Sequence, residues 1–154
     1  SKRNPILSPG ARFGNLVFTQ GMVGNDLATG ALAGDDIAAQ GRQTMRNLQA
    51  VLEAAGTSLD NALKVTAFVA NLDDRPAFNE VYKEFFSADP PPRTCIQGGR
   101  LGEGILVEVE VVEEGGIQTG SHGGHTPGHP EERRFSADEQ AGATMPRCFA
   151  RSAW

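Results

Sequence analysis

Histidine is missing from the first three quarters of this 154-residue chain, because His122, His125 and His129 all lie beyond Gly115. Acid–base chemistry in the preceding residues must therefore be carried by other side chains. Long apolar runs are also missing, since no stretch approaches the roughly 20 residues that span a bilayer. The first ten residues, SKRNPILSPG, lack the apolar centre of a secretory signal. The sequence thus predicts neither a membrane span nor a signal peptide.

Basic residues and cysteines are few. Lysine and arginine number 14 against 19 aspartates and glutamates, a formal net charge of -5. An acidic surface repels phosphate backbones, so general nucleic-acid binding is disfavoured, although a local basic patch is not excluded. The two cysteines, Cys95 and Cys148, lie in regions of very different composition. We therefore predict a reduced, cytoplasmic setting in which Cys148 is a free thiol and not a partner of Cys95.

Composition divides the chain near Glu114. Residues 1–114 are periodic and rich in apolar side chains, and their length suits one globular domain. Residues 115–154 are rich in Gly, His, Pro and Arg and have no sustained period, so we predict a disordered tail. Its three histidines do not predict a metal site, because a flexible Gly/Pro segment does not preorganise ligands and their spacing matches no rigid motif.

The apolar pattern of residues 1–114 predicts an α+β domain with the element order ββ-α-β-α-ββ. The predicted elements are strands at 11–13 and 16–21, a helix from Asp35 or Asp36 to Ala55, a strand at 62–70, a helix at 71–86, and strands at 93–97 and 105–114. A Gly-Asn turn joins the first two strands.

Helix-capping residues support both predicted helices. Asp35 or Asp36 caps the first helix, and Gly56 ends it in a left-handed conformation. Asp73 or Asp74 caps the second helix, and Pro76 is tolerated in its first turn.

The strands predict one mainly antiparallel sheet with both helices on one face. The other face would carry Phe68, Cys95 and Ile or Val side chains. We therefore expect that face to pack against another subunit.

The segment PPRTCIQGGRL, residues 91–101, has the most obvious chemistry. Arg93, Cys95 and Gln97 alternate along a predicted strand and share one of its faces, as Glu108 and Glu110 do on theirs. If these strands are neighbours, a guanidinium, a thiol and a carboxylate converge. A guanidinium binds a carboxylate through two parallel hydrogen bonds, and a carboxylate can take a proton from water.

A purely structural interpretation stands beside this one. Arg93 would pair with Glu108, Cys95 would be a small core residue, and Glu110 would be a solvated strand residue. Spacing alone favours this interpretation, because structural ion pairs are common.

Five segments together resemble the RidA/YjgF family, the reactive-intermediate deaminases. They are GNLVFTQGMVG, AAQGRQTMRNLQAVLEAAG, KVTAFVANLDDRPAFNEVYKEFF, PPRTCIQGGRL and ILVEVEVV, and they cover about residues 5–113. The resemblance implies a chorismate-mutase-like domain that forms a homotrimer, with sheets at the centre, helices outside and substrate clefts between subunits.

By resemblance, the chain hydrolyses 2-imino acids, of the 2-iminobutanoate and 2-iminopropanoate type, to 2-oxo acids and ammonia without a cofactor. Arg93 matches the arginine that holds the substrate carboxylate, and Glu108 matches the glutamate that positions or activates water. Cys95 and Asn79 match pocket residues. With this resemblance, a functional role for Arg93 outweighs the structural one.

Two departures from the family pattern keep other functions open. The family often has the sequence GPYSQ near its N-terminus, whereas this chain has ILSPGARFG, in which Phe13 would fill some of the space left by the tyrosine. The tail 115–154 is extra. A non-catalytic trimer that binds small carboxylates, as a sensor or chaperone, is therefore an alternative. A ribonuclease or translation inhibitor is a weaker one, because no basic stripe with interleaved aromatics is present.

Overall fold

The computed structural model describes residues 6–86 and 88–115, and the backbone of 132–134. These residues form the predicted α+β domain. The helices are α1 (Ile37–Ala54) and α2 (Arg75–Phe85). The strands are β1 (Gly10–Phe13), β2 (Leu16–Thr19), β3 (Met22–Val23), β4 (Ala62–Val69), β5 (Arg93–Gln97), β6 (Val107–Glu114) and β7 (Glu132–Arg134). Within the described ranges, neither helix is long and apolar enough to cross a membrane.

All seven strands belong to one sheet, in the order β5-β4-β6-β2-β1-β7, with β3 paired to β6 beyond the end of β2. Strands β4 and β5 run parallel, and every other pair is antiparallel. The sheet is therefore mainly antiparallel, as predicted. The short β7 adds a strand to β1 that the tail sequence did not predict. The rest of the tail, which was predicted to be disordered, lies outside the described residues, as do the three histidines.

The predicted strand 16–21 is interrupted before β3. Phe18 lies opposite Val112 and Met22 lies opposite Val109. The chain therefore advances by four residues from Phe18 to Met22 while β6 advances by only three. One extra residue is accommodated in this break, as in a β-bulge, and the side-chain alternation reverses there. Met22 consequently points into the core while Phe18 is exposed.

Helix α1 begins and ends as its sequence predicts. The Asp36 side chain accepts a hydrogen bond from the Ala39 backbone N–H (2.9 Å). At the other end Gly56 has a φ of 78°. The N–H groups of Gly56 and Thr57 donate to the carbonyls of Glu53 and Leu52, which is the bonding pattern of a Schellman motif.

The predicted cap of α2 is wrong. A 3-10 turn at Leu72–Asp74 leads directly into the helix, and it leaves Asp74 with a helical backbone (φ -81°, ψ -7°) and no capping hydrogen bond. A capping side chain needs an extended backbone to reach the free N–H groups. Asn71 has that conformation and accepts from the Asp73 N–H at 3.1 Å. Pro76 is the second residue of α2, as expected.

Both helices pack on one face of the sheet. Val65, Ala67 and Val69 of β4 alternate into this core, which also contains alternate residues of β6. Leu63, which a regular two-residue alternation would place on that face, is 47% exposed. The cause is a register irregularity between Ala62 and Lys64, which breaks the two-residue alternation at the start of β4.

The opposite face, which we call the open face, is not covered by any described element. Phe18, Phe68 and Ile96 lie on it, and Ile96 is 47% exposed. Cys95 was predicted to lie there, but it does not. It pairs in register with Ala67 of the parallel strand β4, so both side chains point towards the helices, and Cys95 packs against the core.

The buried side chain of Gln40 ties two loops to α1. Its Nε2 donates to the carbonyls of Gly34 (3.0 Å) and Gly104 (2.9 Å), and its Oε1 accepts from the Leu106 N–H (2.9 Å). Leu106 directly precedes β6. This amide therefore fixes where β6 begins and, two residues later, where Glu108 lies.

One carboxyl group lies inside the core. Glu113 of β6 is 0% exposed, is opposite Val17, and its two oxygens have no hydrogen-bond partner among the described residues. Burial raises its pKa to about 7, against opposing effects of the Thr57 hydroxyl and the Arg12 charge. The folded protein thus binds this proton more tightly than the unfolded chain does.

This difference predicts how stability varies with pH. The unfolded chain releases the Glu113 proton near its ordinary pKa of 4.5, whereas the folded protein keeps it to about pH 7. The stabilising contribution is therefore complete below pH 4.5 and is lost as pH rises through 7. We expect Glu113→Gln to be more stable than wild type by about 1–3 kcal/mol at pH 8, because it removes a buried charge whose desolvation outweighs the opposing effects of Thr57 and Arg12.

Denaturant unfolding of both proteins between pH 4 and pH 8 tests this expectation. The stability advantage of the variant should shrink towards zero at the acid end. The matched control is Glu53→Gln, which changes an exposed glutamate and should follow the wild-type curve. An advantage that does not change with pH would contradict the assignment.

Candidate active site

The site is built around Arg93, the first residue of the edge strand β5. Arg93 pairs in register with Val65 of β4, so its side chain points to the face that carries the helices. There it meets α2, and its Nη2 donates to Asn79 Oδ1 at 2.5 Å. The guanidinium is half-buried in a crevice between the edge of the sheet and α2.

Aromatic rings line this crevice. The guanidinium carbon Cζ lies 4.4 Å from the centroid of the Tyr82 ring and 5.8 Å from that of Phe78. Both distances are within the range of cation–π attraction. Asn79 and Tyr82 are three residues apart on α2, and therefore lie on the same side of the helix.

Arg93 forms no ion pair with any described residue. Its hydrogen bond to Asn79 is the only one that it makes within the described ranges, and a guanidinium has five N–H donors. The structural interpretation, in which Arg93 pairs with Glu108, is therefore wrong. Most of the hydrogen-bonding capacity of a fixed cation remains available to a ligand, and the planar fork suits a carboxylate.

Glu108 lies on the open face, away from this crevice. It is opposite Phe68 on one side and Val23 on the other. Its carboxylate covers the backbone of Gly21, where an added Cβ would lie 1.9 Å from Glu108 Oε1. Burial, and secondly the charge of Glu110, raise the pKa of the Glu108 carboxyl above its ordinary value.

Arg93 and Glu108 are not brought together within one protomer. The expectation that their strands are neighbours is wrong, because β4 lies between β5 and β6 and bonds to both. The alternation of side chains also places Arg93 on the helix face and Glu108 on the open face. A site that uses both groups needs residues from two protomers.

The other predicted site residues are spread over the domain. Cys95 is on the same face as Arg93 but packs into the core, as the structural interpretation had it. Gln97 Oε1 accepts from the Leu72 N–H at 3.2 Å. Phe13 is 51% exposed on β1, with three strands between it and β5. Of the predicted set, only Asn79 contacts Arg93.

Two residues of this arrangement were missed from the sequence. Tyr82 was not among the predicted site residues, although its position one turn after Asn79 was a signal that it faces the same group. Gly21 gave no signal, because its contact depends on the pairing of β3 with β6. Within the described ranges, no three His, Cys, Asp or Glu side chains are close enough together to hold a metal ion.

Residues 5–114 match the sequence profile of a family described as endoribonuclease L-PSP. The chain belongs to the endoribonuclease L-PSP family. Among its members, a 2-iminobutanoate/2-iminopropanoate deaminase of Salmonella typhimurium is 37% identical over 106 residues, 67% of this chain and 82% of that protein. A RutC family protein of Pyrococcus horikoshii is 37% identical over 105 residues, 68% and 83% of the two chains.

Solved structures of the family share the fold. The crystal structure of Escherichia coli TdcF with bound serine superposes with a TM-score of 0.67 and 34% sequence identity, covering 72% of this chain and 88% of that one. The predicted RidA/YjgF resemblance and the α+β fold are thereby confirmed.

The contact between Glu108 and Gly21 gives a test of the site geometry. Gly21→Ala would force the end of the flexible Glu108 side chain away from the backbone and towards solvent. Because burial is the main cause of its raised pKa, we expect that pKa to fall towards the ordinary value. Stability should change by less than about 1 kcal/mol, since only a side-chain end moves.

An NMR titration of the glutamate carboxyl carbons measures this pKa directly. Gly99→Ala is the matched control, because a Cβ at Gly99 has open space around it. An unchanged Glu108 titration in Gly21→Ala would show that the carboxylate does not lie over this backbone.

Proposed function

We propose that this protein hydrolyses 2-imino acids to 2-oxo acids and ammonia. Arg93 binds the substrate carboxylate, and Glu108 of a neighbouring protomer orients and activates the attacking water. The observation that carries the proposal is the half-buried guanidinium, held by Asn79 and Tyr82, whose other donors have no partner among the described residues.

The named relatives support this substrate class. The Salmonella protein is named as a deaminase of 2-iminobutanoate and 2-iminopropanoate, both of which carry a carboxylate beside the imine. The TdcF structure contains serine, an amino acid with the same carboxylate. A guanidinium with free N–H donors can bind such a carboxylate through two parallel hydrogen bonds.

The opposite positions of Arg93 and Glu108 imply an assembly. The open face carries Phe18, Phe68 and Ile96 with no described element over them, and an exposed apolar surface of this kind favours association. In a homotrimer with the open faces at the centre, a cleft between protomers would combine the helix-face edge of one with Glu108 of the next.

The chemistry follows from these two groups. The imine carbon is electrophilic, most strongly when its nitrogen is protonated. Glu108 accepts a proton from water as the water oxygen bonds to that carbon, which gives a carbinolamine. Glu108 returns its proton to the carbinolamine nitrogen, the carbon–nitrogen bond breaks as the hydroxyl gives its proton back to the carboxylate, and ammonia leaves. The remaining product is the 2-oxo acid, and Glu108 keeps the proton that the iminium brought until it is released to solvent. The free imine already hydrolyses slowly in water, so positioning and charge complementarity suffice, without a cofactor.

The raised pKa of Glu108 fits the role of a base. A carboxylate whose conjugate acid has a pKa closer to neutrality takes a proton from water more readily than an ordinary carboxylate does. Burial and the nearby Glu110 charge both act in this direction.

The carboxylate clamp predicts the effect of changing Arg93. We expect Arg93→Ala to lower kcat/KM for imine hydrolysis by at least about 100-fold, since it removes a charge-assisted bidentate contact. Arg93→Lys should also be poor, because a point charge cannot replace the fork. The assay uses a flavin-dependent amino-acid oxidase to generate the imine in place and follows the appearance of the 2-oxo acid.

The matched control is Arg75→Ala, which removes an exposed arginine from the same region of the fold. Arg75→Ala should retain wild-type activity. An Arg93→Ala variant with an unchanged rate would reject the assignment.

Mixing two inactive variants tests the shared cleft. Arg93→Ala and Glu108→Gln should each be inactive alone. In a cyclic trimer that contains both, one cleft combines the intact Arg93 of one protomer with the intact Glu108 of another. Co-expression in equal amounts should therefore restore about a quarter of wild-type activity, if mixing is random and each cleft acts independently.

Sedimentation and differently tagged chains would establish that mixed assemblies form. Mixed trimers with no activity, in a preparation whose wild-type trimers are active, would refute a site shared between protomers.

Carboxylate binding without turnover is the second candidate. It is favoured by one observation: the Arg93 cradle is complete within a protomer, whereas Glu108 is not near it. Calorimetry with pyruvate separates the two functions. Saturable binding that Arg93→Ala abolishes, together with no acceleration of imine hydrolysis, would establish a binding protein and not an enzyme.

A further inference from the structure

We propose that Tyr82 is a positioning residue for Arg93, whose aromatic ring fixes the plane in which the guanidinium offers its donors to a substrate carboxylate. The inference deepens the proposed function and rests on it for the identity of the ligand. It assigns to Tyr82 a role in ligand affinity that acts through Arg93 and not by contact with the substrate.

The Tyr82 ring is itself held firmly. It is 7% exposed and packs between Phe78 of α2 and Phe86, the residue after the helix, with ring centroids 6.1 Å and 4.6 Å away. A ring fixed by packing on both sides is a rigid surface for the guanidinium, which lies 4.4 Å from its centroid. An arginine on a solvent-exposed strand end would otherwise sample many rotamers.

The ring and not the hydroxyl carries this role. The Tyr82 hydroxyl is buried and has no hydrogen-bond partner among the described residues, so it does not bond to Arg93. Burial raises the pKa of Tyr82 to about 12, partly opposed by the Arg93 charge. The phenol is therefore neutral at ordinary pH and has no acid–base function.

The contacts of the guanidinium with Asn79 and Tyr82 do not compete with a ligand. The Arg93 Cζ lies over the Tyr82 ring at 4.4 Å from its centroid, and Asn79 takes one hydrogen of Nη2. A carboxylate binds in the plane of the guanidinium, through paired N–H groups on one edge. The ring contact and the single hydrogen bond thus restrict rotation of the guanidinium, while its other N–H groups have no partner among the described residues. A preorganised fork loses less entropy on binding than a mobile one.

Two substitutions in the full chain separate the ring from the hydroxyl. Tyr82→Phe keeps the ring and should bind pyruvate within about twofold of wild type. Tyr82→Leu keeps an apolar side chain but removes the ring, and we expect it to raise the Kd for pyruvate roughly tenfold, as loss of a partly desolvated cation–π contact would. If the protein is a deaminase, Tyr82→Leu should raise KM by a similar factor with a smaller change in kcat, as expected for lost substrate binding.

Phe85→Leu is the matched control. It makes the same type of change three residues along α2, at a partly buried ring that has no contact with Arg93. Its pyruvate affinity should equal that of wild type. A loss of affinity as large in Phe85→Leu as in Tyr82→Leu would mean that packing of the helix, and not the ring over Arg93, is responsible, and would overturn the proposal.

A direct spectroscopic readout needs no turnover, and its wild-type arm does not depend on the folding of Tyr82→Leu. The Arg93 side-chain Nε–Hε signal, assigned by its loss in Arg93→Lys, should be shifted upfield by the Tyr82 ring in wild type and in Tyr82→Phe. It should return to the usual arginine position in Tyr82→Leu. An unshifted signal in wild type, an unchanged pyruvate affinity in Tyr82→Leu, or an affinity as poor in Tyr82→Phe as in Tyr82→Leu would each overturn the role of the ring.

These measurements distinguish the two proposals from each other. A shifted Arg93 signal and ring-dependent pyruvate binding, in a protein that hydrolyses no imine, would refute the deaminase and support the positioning role. Imine hydrolysis that depends on Arg93 but not on the Tyr82 ring would support the deaminase and refute the positioning role.

Discussion

Strand β4 determines the layout of the whole domain. It pairs in parallel with β5 on one side and antiparallel with β6 on the other, and its alternating side chains define which face of each neighbour meets the helices. Once Val65, Ala67 and Val69 are buried under α1 and α2, the register determines which face of the sheet each side chain of β5 and β6 occupies. Arg93 must face α2, and Glu108 must face away from it. The separation of the two candidate catalytic groups is thus a direct result of packing the core.

The sequence predicted the elements well and their pairing poorly. The signals used were apolar periodicity, the Asp36 cap, the Gly-Asn turn and the Gly56 stop. Each of them depends on neighbouring residues in the chain, so together they predict the elements but not how the elements pair. Strand order is a long-range property, so nothing in the sequences of β5 and β6 showed that β4 separates them. The same limit explains why Cys95 was placed on the wrong face. The shared face of Arg93, Cys95 and Gln97 was predicted correctly, but which face it was depends on register.

The candidate site was likewise predicted in part, with some of its residues found from the sequence and others missed. Arg93 and Asn79 were predicted through family resemblance, and the structure joins them by a hydrogen bond. Tyr82 was not predicted as a site residue, because a tyrosine on the inner face of a helix is usually a core side chain. Its contact with a cation becomes visible only when β5 is docked against α2. Glu113 is a comparable case. A glutamate near the end of a predicted strand is expected to face solvent, but the side chain of Glu113 is buried in the core.

Gln40 has a further consequence for how this fold can vary. Its amide nitrogen donates both hydrogens to backbone carbonyls, and its oxygen accepts from a backbone N–H, in the segments before α1 and before β6. Glutamate has almost the same shape, but it would place an acceptor against two carbonyl oxygens at once. A shorter polar residue could not span the gap. The position therefore tolerates essentially one side chain, and insertions in the connecting segments are restricted to lengths that return both carbonyls to that amide.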